Sequence, residues 1–194
     1  MSRIIFTAML TLCAAAMAEP LYFDVNDTAP PSGAVPEVAP WRVVPLDAAY
    51  RGLWVVSGDL DGDGQPEIVS AENHNEGDVH YTSAVAAQKL DGTVLWTWGD
   101  PAIGRKNWHH DVACQVHDWD GDGKAEVVVA AKEHIVEIDG VTGKERRRIS
   151  IPDGASDCLV FCDLSGAGRP TDVLVKNRYV QIWAYNHAGE KLWT

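Results

Sequence analysis

Positive charge is scarce in this sequence, which has 16 lysine and arginine residues against 28 aspartate and glutamate residues. Its formal net charge is −12 at pH 7. A chain this acidic is repelled by polyanions, which argues against nucleic acid and anionic membrane surfaces as partners. We therefore expect neither nucleic-acid binding nor insertion into a membrane.

Cysteine is also scarce. Of four cysteines, Cys13 lies in an N-terminal apolar stretch, which leaves Cys114, Cys158 and Cys162. Three thiols allow at most one disulfide, and no cysteine or histidine spacing resembles a zinc site. Whether a pair forms is left open by the sequence.

Residues 1–18 contain the one long apolar run. Arg3 precedes the stretch IIFTAMLTLCAAA, and the small-residue pattern AMA follows it. This order is typical of a cleavable signal peptide, which predicts a secreted or periplasmic protein. Residues 19–49 carry six of the ten prolines and are predicted to be an extended leader.

Acidic residues are concentrated in two glycine-containing segments, DLDGDGQPE and DWDGDGKAE. Carboxylates at this density need a cation, and Ca²⁺ takes about six to eight oxygen ligands in irregular geometry. Glycine permits the left-handed turns that wrap such an ion. We predict two calcium sites. Their ligands are Asp59, Asp61, Asp63 and Glu67 in the first, and Asp118, Asp120, Asp122 and Glu126 in the second.

The flanks of these segments distinguish them from an EF-hand, whose loop has a glutamate at position twelve and lies between helices. Position twelve is Ser70 in one copy and Val129 in the other, and the flanking runs are β-branched. A third copy, DLSGAGRPTD, keeps Asp163 but has lost the next two acids. We expect calcium loops between strands, with the third loop empty.

The acidic segments belong to an internal repeat. Each unit reads as strand, acidic loop, strand, loop, strand, glycine turn, strand, over about 40–50 residues. This predicts an all-β protein, a β-propeller of four-stranded antiparallel blades. About three blades are visible, near residues 50–100, 108–151 and 156–194. We expect a part of a larger propeller, whose remaining blades would be partners absent from this chain.

An antiparallel meander places the acidic loops and glycine turns on one face of the blades. The segments that join second to third strands, and one unit to the next, lie on the other, which we call the variable face. The first repeat is longer than the second only in these segments, and insertions on one face favour a binding role. The variable face comprises residues 72–81, 99–110, 131–134, 151–156 and 176–179.

The variable face collects cations, histidines and aromatic rings, which suit an acidic saccharide. The predicted ligand-binding residues are His80, Tyr81, Arg105, Lys106, Trp108, Lys176 and Arg178. His109 and His110 are the catalytic candidates if a bond is cleaved.

The acidic repeats resemble the FG-GAP or VCBS repeats of integrin-type propellers. The stretch from Gly104 to Ala131, followed by VEIDGVTGKE, is similar to the calcium-rich, eight-bladed propeller of bacterial rhamnogalacturonan lyases of the polysaccharide lyase family 11 type. The resemblance covers most of residues 50–194. It implies Ca²⁺ as cofactor and an acidic polysaccharide or cell-surface glycan as partner.

These features favour an exported, calcium-binding propeller module that presents a ligand face to an acidic polysaccharide. One alternative is a lyase that acts by β-elimination. Arg105 or calcium would then neutralise the uronate carboxylate, and His109 or His110 would remove the C5 proton. A second alternative is a propeller for protein adhesion or scaffolding.

Overall fold

The computed structural model describes residues 38–77, 79–104, 107, 109, 111 and 113–194. The predicted signal peptide and most of the predicted leader lie outside these residues. Residues Arg42–Thr194 form one compact unit. Among the described residues, no helix has the length or apolar character needed to cross a bilayer.

Strands make up almost all of the regular structure in the described residues. The first sheet contains β1 (Trp54–Gly58), β2 (Glu67–Glu76), β3 (Val79–Gln88) and β4 (Val94–Gly99), and is followed by the short helix α1 (Pro101–Gly104). The second contains β5 (Cys114–His117), β6 (Glu126–Ala131), β7 (His134–Ile138) and β8 (Glu145–Ser150). The third contains β9 (Cys158–Cys162), β10 (Asp172–Lys176), β11 (Ile182–Tyr185) and β12 (Lys191–Trp193).

Each sheet is an antiparallel meander whose strands pair in chain order. All of the strand pairs that the sheets contain are antiparallel. The first strands of neighbouring sheets contact each other, β1 with β5 and β5 with β9. The prediction of four-stranded propeller blades is therefore confirmed, with the first strand of each blade innermost.

Strand β6 shows why a strand in the middle of a blade can have a continuous apolar sequence. Val127 and Val129 pack into a core shared with the first sheet, whereas Val128 and Ala130 pack into a core shared with the third. A strand buried on both faces has no polar alternation. The sequence EVVVAA is the consequence.

The second residue of each of the first two acidic loops helps to fill these cores. Leu60 and Trp119 are both fully buried. The Trp119 indole N–H donates to the Thr171 carbonyl at 2.7 Å, which ties the second loop to the third sheet. The Ala125 N–H donates to the Asp59 carbonyl at 3.2 Å and ties the second loop to the first. The acidic loops are thus part of the contact between blades.

The insertion in the first repeat forms a hairpin where an irregular loop was expected. Strands β2 and β3 have ten residues each, and they remain paired out to Glu76 and Val79, with a bulge at Glu72 and Asn73. The turn uses Gly77, whose φ is 63°. Extension by pairing satisfies the backbone groups of this polar segment, which an irregular loop would leave to water. The hairpin therefore forms one side of the variable face.

The three cysteines of the described residues, Cys114, Cys158 and Cys162, are all free thiols. Burial raises the pKa of Cys114 to about 12 and raises that of the other two. These thiols are therefore neutral at physiological pH and act as small apolar side chains.

Candidate functional sites: two acidic loops and the variable face

Two acidic loops join the first and second strands of their sheets, one between β1 and β2 and the other between β5 and β6. The four glycines predicted to turn these loops have left-handed backbone, with φ from 78° to 88°. Residues with a Cβ are strained in this region, whereas glycine is not. The predicted turn chemistry is confirmed.

The first aspartate of each loop folds it by accepting backbone hydrogen bonds. Asp59 accepts from the N–H groups of Gly62 at 2.8 Å and Gly64 at 2.9 Å. Asp118 accepts the equivalent bonds from the N–H groups of Gly121 at 2.7 Å and Gly123 at 3.2 Å. The two loops therefore share this pattern of backbone hydrogen bonds around their first aspartate.

Carboxylate oxygens converge in both loops. The two groups whose oxygens lie within 4.8 Å of one another are Asp59, Asp61 and Glu67, and Asp118, Asp120 and Asp122. Carboxylates gathered in this way are the hard oxygen donors that Ca²⁺ prefers. The residues therefore fit the predicted ion. Of the eight predicted ligands, Asp63 and Glu126 fall outside these convergent groups.

Each loop closes on a buried glutamate at the start of the following strand. Glu67 is 2% exposed and accepts from the Leu60 N–H at 2.8 Å, and Glu126 is fully buried and accepts from the Trp119 N–H at 2.9 Å. Burial raises the pKa of both carboxyl groups, that of Glu126 to about 7. An anion in such a place needs a cation nearby. The glutamates hold the loops closed and are a strong reason to expect a cation.

The two loops differ in the cation that the chain itself supplies. Lys89 Nζ is 3.5 Å from Asp61 Oδ2 and 3.8 Å from the second oxygen of Asp63. Arg146 of β8 approaches the second loop more closely, with Nη1 2.7 Å from Asp120 Oδ2 and 2.9 Å from Glu126 Oε1. The second loop is therefore the better neutralised of the two.

The third loop, between β9 and β10, keeps the fold without the acids. Asp163 accepts from the N–H groups of Ala167 at 2.7 Å and Gly168 at 2.9 Å, as the first aspartates of the other loops do. No convergent group of acids includes this loop in the part of the chain that the structure describes. That it binds no metal stays a prediction.

Asp172 replaces the buried glutamate in the third loop, and the sequence analysis missed it. It is 1% exposed, and its Oδ2 accepts from the N–H groups of Leu164 and Ser165, both at 2.7 Å. Because Thr171 is an additional residue, Asp172 follows the first aspartate of its loop by one position more than Glu67 and Glu126 follow theirs. A repeat alignment that allowed one inserted residue would have found it.

We expect Asp172→Ala to lower the free energy of unfolding by about 2 kcal/mol, because it removes two hydrogen bonds to a buried carboxylate. Burial raises the pKa of Asp172, but the bonds from Ser165 and Leu164 outweigh it and leave the pKa below its usual value. The stabilisation is therefore present above the unfolded pKa of about 4 and is lost as pH falls through the folded value. Urea unfolding near neutral pH and near pH 3 measures both.

The exposed Asp153 provides the control for this variant, and Asp153→Ala should change the free energy of unfolding little. Calcium should not restore the stability of Asp172→Ala. A cost that is the same at acid and neutral pH, or that calcium removes, would contradict a purely structural role for Asp172.

On the variable face, the connection after α1 runs along the extended edge of β2. The Asn75 N–H donates to the Asn107 carbonyl at 2.9 Å, and the Asn107 amide donates back to the Asn75 carbonyl at 2.6 Å. The His109 N–H donates to Asn73 Oδ1 at 2.8 Å, and the Asn73 amide donates to the Asp111 carbonyl. The hairpin insertion thereby fixes the positions of His109 and Asp111.

His80 and His109 stack on each other, with ring centroids 3.6 Å apart and an angle of 10° between the planes. His80 is 1% exposed, and its Nδ1 lies 3.1 Å from Asp157 Oδ1 of the segment before β9. The His80 backbone N–H also donates to Asp157, at 3.2 Å. His80 is thus fixed from two sheets, whereas the His109 side chain is 16% exposed and faces solvent in part.

Arg178 and Asp111 complete this cluster. Arg178 Nη2 is 3.2 Å from Asp111 Oδ2 and 3.3 Å from His109 Nε2, and Asp111 Oδ2 is 3.5 Å from His109 Nδ1. One ligand atom each from His80, His109 and Asp111 lies within 4.8 Å of the others, so these three groups could also hold a metal ion. The cluster therefore places a carboxylate, an imidazole and a guanidinium within 3.5 Å of one another.

The other predicted ligand residues are not members of this cluster or lie outside the described residues. Tyr81 contacts the His74 ring at 5.4 Å and Lys132 Nζ at 5.9 Å, on the outer side of the hairpin. Lys176 lines a cavity beside the inner strands. The predicted residues for which the structure gives no description are Arg105, Lys106, Trp108 and His110. Their roles stay predictions.

Two members of the cluster were missed by the sequence analysis. Asp111 stands two residues after His109, so its proximity was available as a local signal. Asp157 is 77 residues from His80, and no local pattern connects them. Only the packing of the third sheet against the first brings that pair together.

Comparison with known proteins places this geometry in context. Residues 59–129, which include both acidic loops, match the family model of the FG-GAP-like repeat. The chain is 35% identical over 111 residues to a rhamnogalacturonan exolyase, YesX, of Bacillus subtilis, and 35% identical over 128 residues to the rhamnogalacturonan endolyase YesW of the same organism. These matches cover 52% and 54% of this chain but 16% and 20% of the two relatives. The similarity predicted to FG-GAP repeats and to rhamnogalacturonan lyases is confirmed.

Proposed function

We propose that this protein is an exported, calcium-binding β-propeller module that holds an acidic polysaccharide of the rhamnogalacturonan type on its variable face. The observation that carries the proposal is the cluster of His80, His109, Asp111, Asp157 and Arg178, assembled from the first and third blades and the connection that follows the first blade. The two relatives, whose names refer to rhamnogalacturonan, support this ligand class.

The chemistry of the cluster suits an anionic sugar. A guanidinium pairs with a carboxylate in a planar, two-point contact, and the Arg178 side chain is 23% exposed on this face. Imidazole groups hydrogen-bond to sugar hydroxyls and carry charge near neutral pH. The calcium loops at the opposite ends of the blades would stiffen the sheets that present these groups, without contacting the ligand.

A second candidate function is cleavage of the same polysaccharide by β-elimination. The specific observation is that His109 lies within 3.5 Å of both a carboxylate and a guanidinium. In this reaction a base removes the C5 proton of the uronate, the electron pair forms the C4–C5 double bond, the C4–O bond breaks, and the leaving oxygen takes a proton from an acid or from water. His109 would take the proton, and Arg178 would stabilise the negative charge on the carboxylate.

A metal ion held by His80, His109 and Asp111 would supply further charge to the substrate carboxylate when bound. His109 would then be a ligand and not the base. Measurement of activity with and without added metal, on the same preparation, separates these two roles.

Calorimetric titration with rhamnogalacturonan, homogalacturonan and a neutral glucan tests the proposal. We expect binding to the acidic polymers, and His109→Gln should weaken it only a few-fold in a pure binder. His134→Gln is the matched control, because His134 lies on the same face at the start of β7 and outside the cluster. Equal affinity for all three polymers, or none, would contradict the proposed function.

The ultraviolet absorbance of unsaturated product tests the second candidate in the same samples. A lyase should generate this product, and His109→Gln should lose it while still binding the polymer. Binding without product in the wild type would leave the binding function and remove the enzymatic one.

A further inference from the structure

The inner strands of the three blades line an open cavity of about 260 Å³. It adjoins the cluster on the variable face, since Asp111 and Asp157 belong to both. The lining residues are Trp54, Asp111, Gln115, Asp157, Cys158, Leu159, Val160 and Lys176. Every blade therefore contributes to its wall, and the sequence analysis assigned no role to most of these residues.

Trp54 gives this cavity a fixed aromatic surface. Its indole N–H donates to the Cys114 carbonyl at 3.0 Å, which holds the ring across the gap between β1 and β5. The residue nevertheless remains 37% exposed. An aromatic ring that is held in place and half open to solvent is a surface on which the apolar face of a sugar ring can pack.

The three charged side chains that line the cavity, those of Asp111, Asp157 and Lys176, differ in whether an oppositely charged group lies beside them. Asp157 faces His80 at 3.1 Å, and Asp111 faces Arg178 at 3.2 Å. In the described residues, Lys176 forms no ion pair with a carboxylate. Burial raises the pKa of the neighbouring Cys158 thiol, so this thiol is neutral and does not supply a negative charge to Lys176.

Gln115 adds a neutral hydrogen-bonding group to the lining of the cavity. Its Nε2 donates to the Leu159 carbonyl at 3.4 Å, which orients the amide oxygen as an acceptor for another donor. The cavity thus offers one face for a ring, one cation for a carboxylate and one acceptor for a hydroxyl group.

We propose that this cavity is a subsite for one uronate residue of the polysaccharide, in which Lys176 pairs with the carboxylate, Trp54 packs on the ring and Gln115 accepts from a hydroxyl. The inference rests on the proposed function and names the sugar recognised. The cavity is smaller than the roughly 300–1,000 Å³ of pockets for drug-sized ligands, which suits one ring and not several.

Titration with oligogalacturonate and with its methyl-esterified form tests the subsite, because esterification removes the negative charge of each carboxylate and adds only one methyl group. The wild type should prefer the free acid. Lys176→Met should lower affinity for the free acid about tenfold or more and remove the preference, as expected for loss of a charge-assisted contact. Lys132→Met is the matched control, since this lysine lies on the same face and pairs with Glu76 at 3.1 Å.

The ring contact is tested separately with both ligand forms. Trp54→Ala should weaken both about equally, and Trp54→Phe should retain part of the affinity because an aromatic face remains. Trp193→Ala, which alters an exposed tryptophan of β12, should change neither.

Failure of the subsite and failure of the proposed function give different results. If the wild type binds acidic polymers and Lys176→Met binds them equally well with an unchanged preference for free acid, the subsite is wrong and the function stands. If the wild type binds no acidic polymer, both are overturned. Thermal unfolding of each variant shows whether a loss of affinity reflects loss of fold.

Discussion

Removal of calcium is expected to lower the melting temperature of this protein by roughly 10 °C or more. A ligand that binds only the native state adds about 2.7 kcal/mol per site when its concentration is a hundred times the dissociation constant. Two filled loops would contribute about 5 kcal/mol, and each kcal/mol shifts the transition of a domain this size by about 2–4 °C. The buried glutamates at 2% and 0% exposure make the unliganded loops costly.

Differential scanning calorimetry with chelator and with added Ca²⁺ measures this effect. Asp61→Asn should remove part of the calcium-dependent shift, whereas Asp163→Asn in the third loop should leave it unchanged. Mg²⁺ should restore the transition poorly, because it demands octahedral geometry and keeps its waters. A melting temperature that chelator does not change would sink the calcium assignment for both loops.

Features of the fold that depend on near neighbours in the chain were predictable. A loop such as 59–67 is specified by its own glycines and acids, and the strands around it by β-branched runs. Because each blade is a meander, neighbouring strands in the sequence are neighbours in the sheet. Local patterns therefore sufficed to predict the blades and the turn chemistry.

Features that depend on packing between blades were not predictable. The pairing of His80 with Asp157 arises because the third sheet meets the hairpin of the first. The hairpin itself was interpreted as a loop, since its polar residues lack the alternation of a half-buried strand. Hydrogen bonds from the connection around Asn107 stabilise its outer edge, and those partners lie 32 residues away.

The internal cation of the second loop is another feature that no motif indicated. Arg146 lies in the segment KERRRI, whose three arginines look equivalent in sequence. In the structure they diverge: Arg147 contacts Glu137, and Arg148 pairs with Glu145 at 2.6 Å. Strand alternation and register decide which arginine reaches the acidic loop.

Arg146 lies within 4.0 Å of four carboxylates, three of them within 2.9 Å. Besides its contacts with Asp120 and Glu126, its Nη2 is 2.8 Å from Asp139 Oδ2, and its side chain is 29% exposed. Glu126 is fully buried and burial raises its pKa to about 7, so removal of the arginine would leave its carboxyl group without a counter-charge wherever the pH keeps it ionised. Breaking a buried pair from one side typically costs about 3–5 kcal/mol. A calcium ion in the loop would provide charge that compensates for this loss.

Arg146→Gln is therefore expected to destabilise the calcium-free protein by about 3 kcal/mol and to increase the stabilisation that calcium provides. The same substitution at Arg148, whose partner Glu145 lies away from the loop, should cost well under 1 kcal/mol in either condition. Chemical unfolding of both variants, with chelator and with Ca²⁺, measures the four free energies of unfolding. If Arg146→Gln loses the same stability with and without calcium, the arginine and the ion do not act on the same carboxylates. If it gains stability in chelator, the arginine is not the cation that holds the second loop.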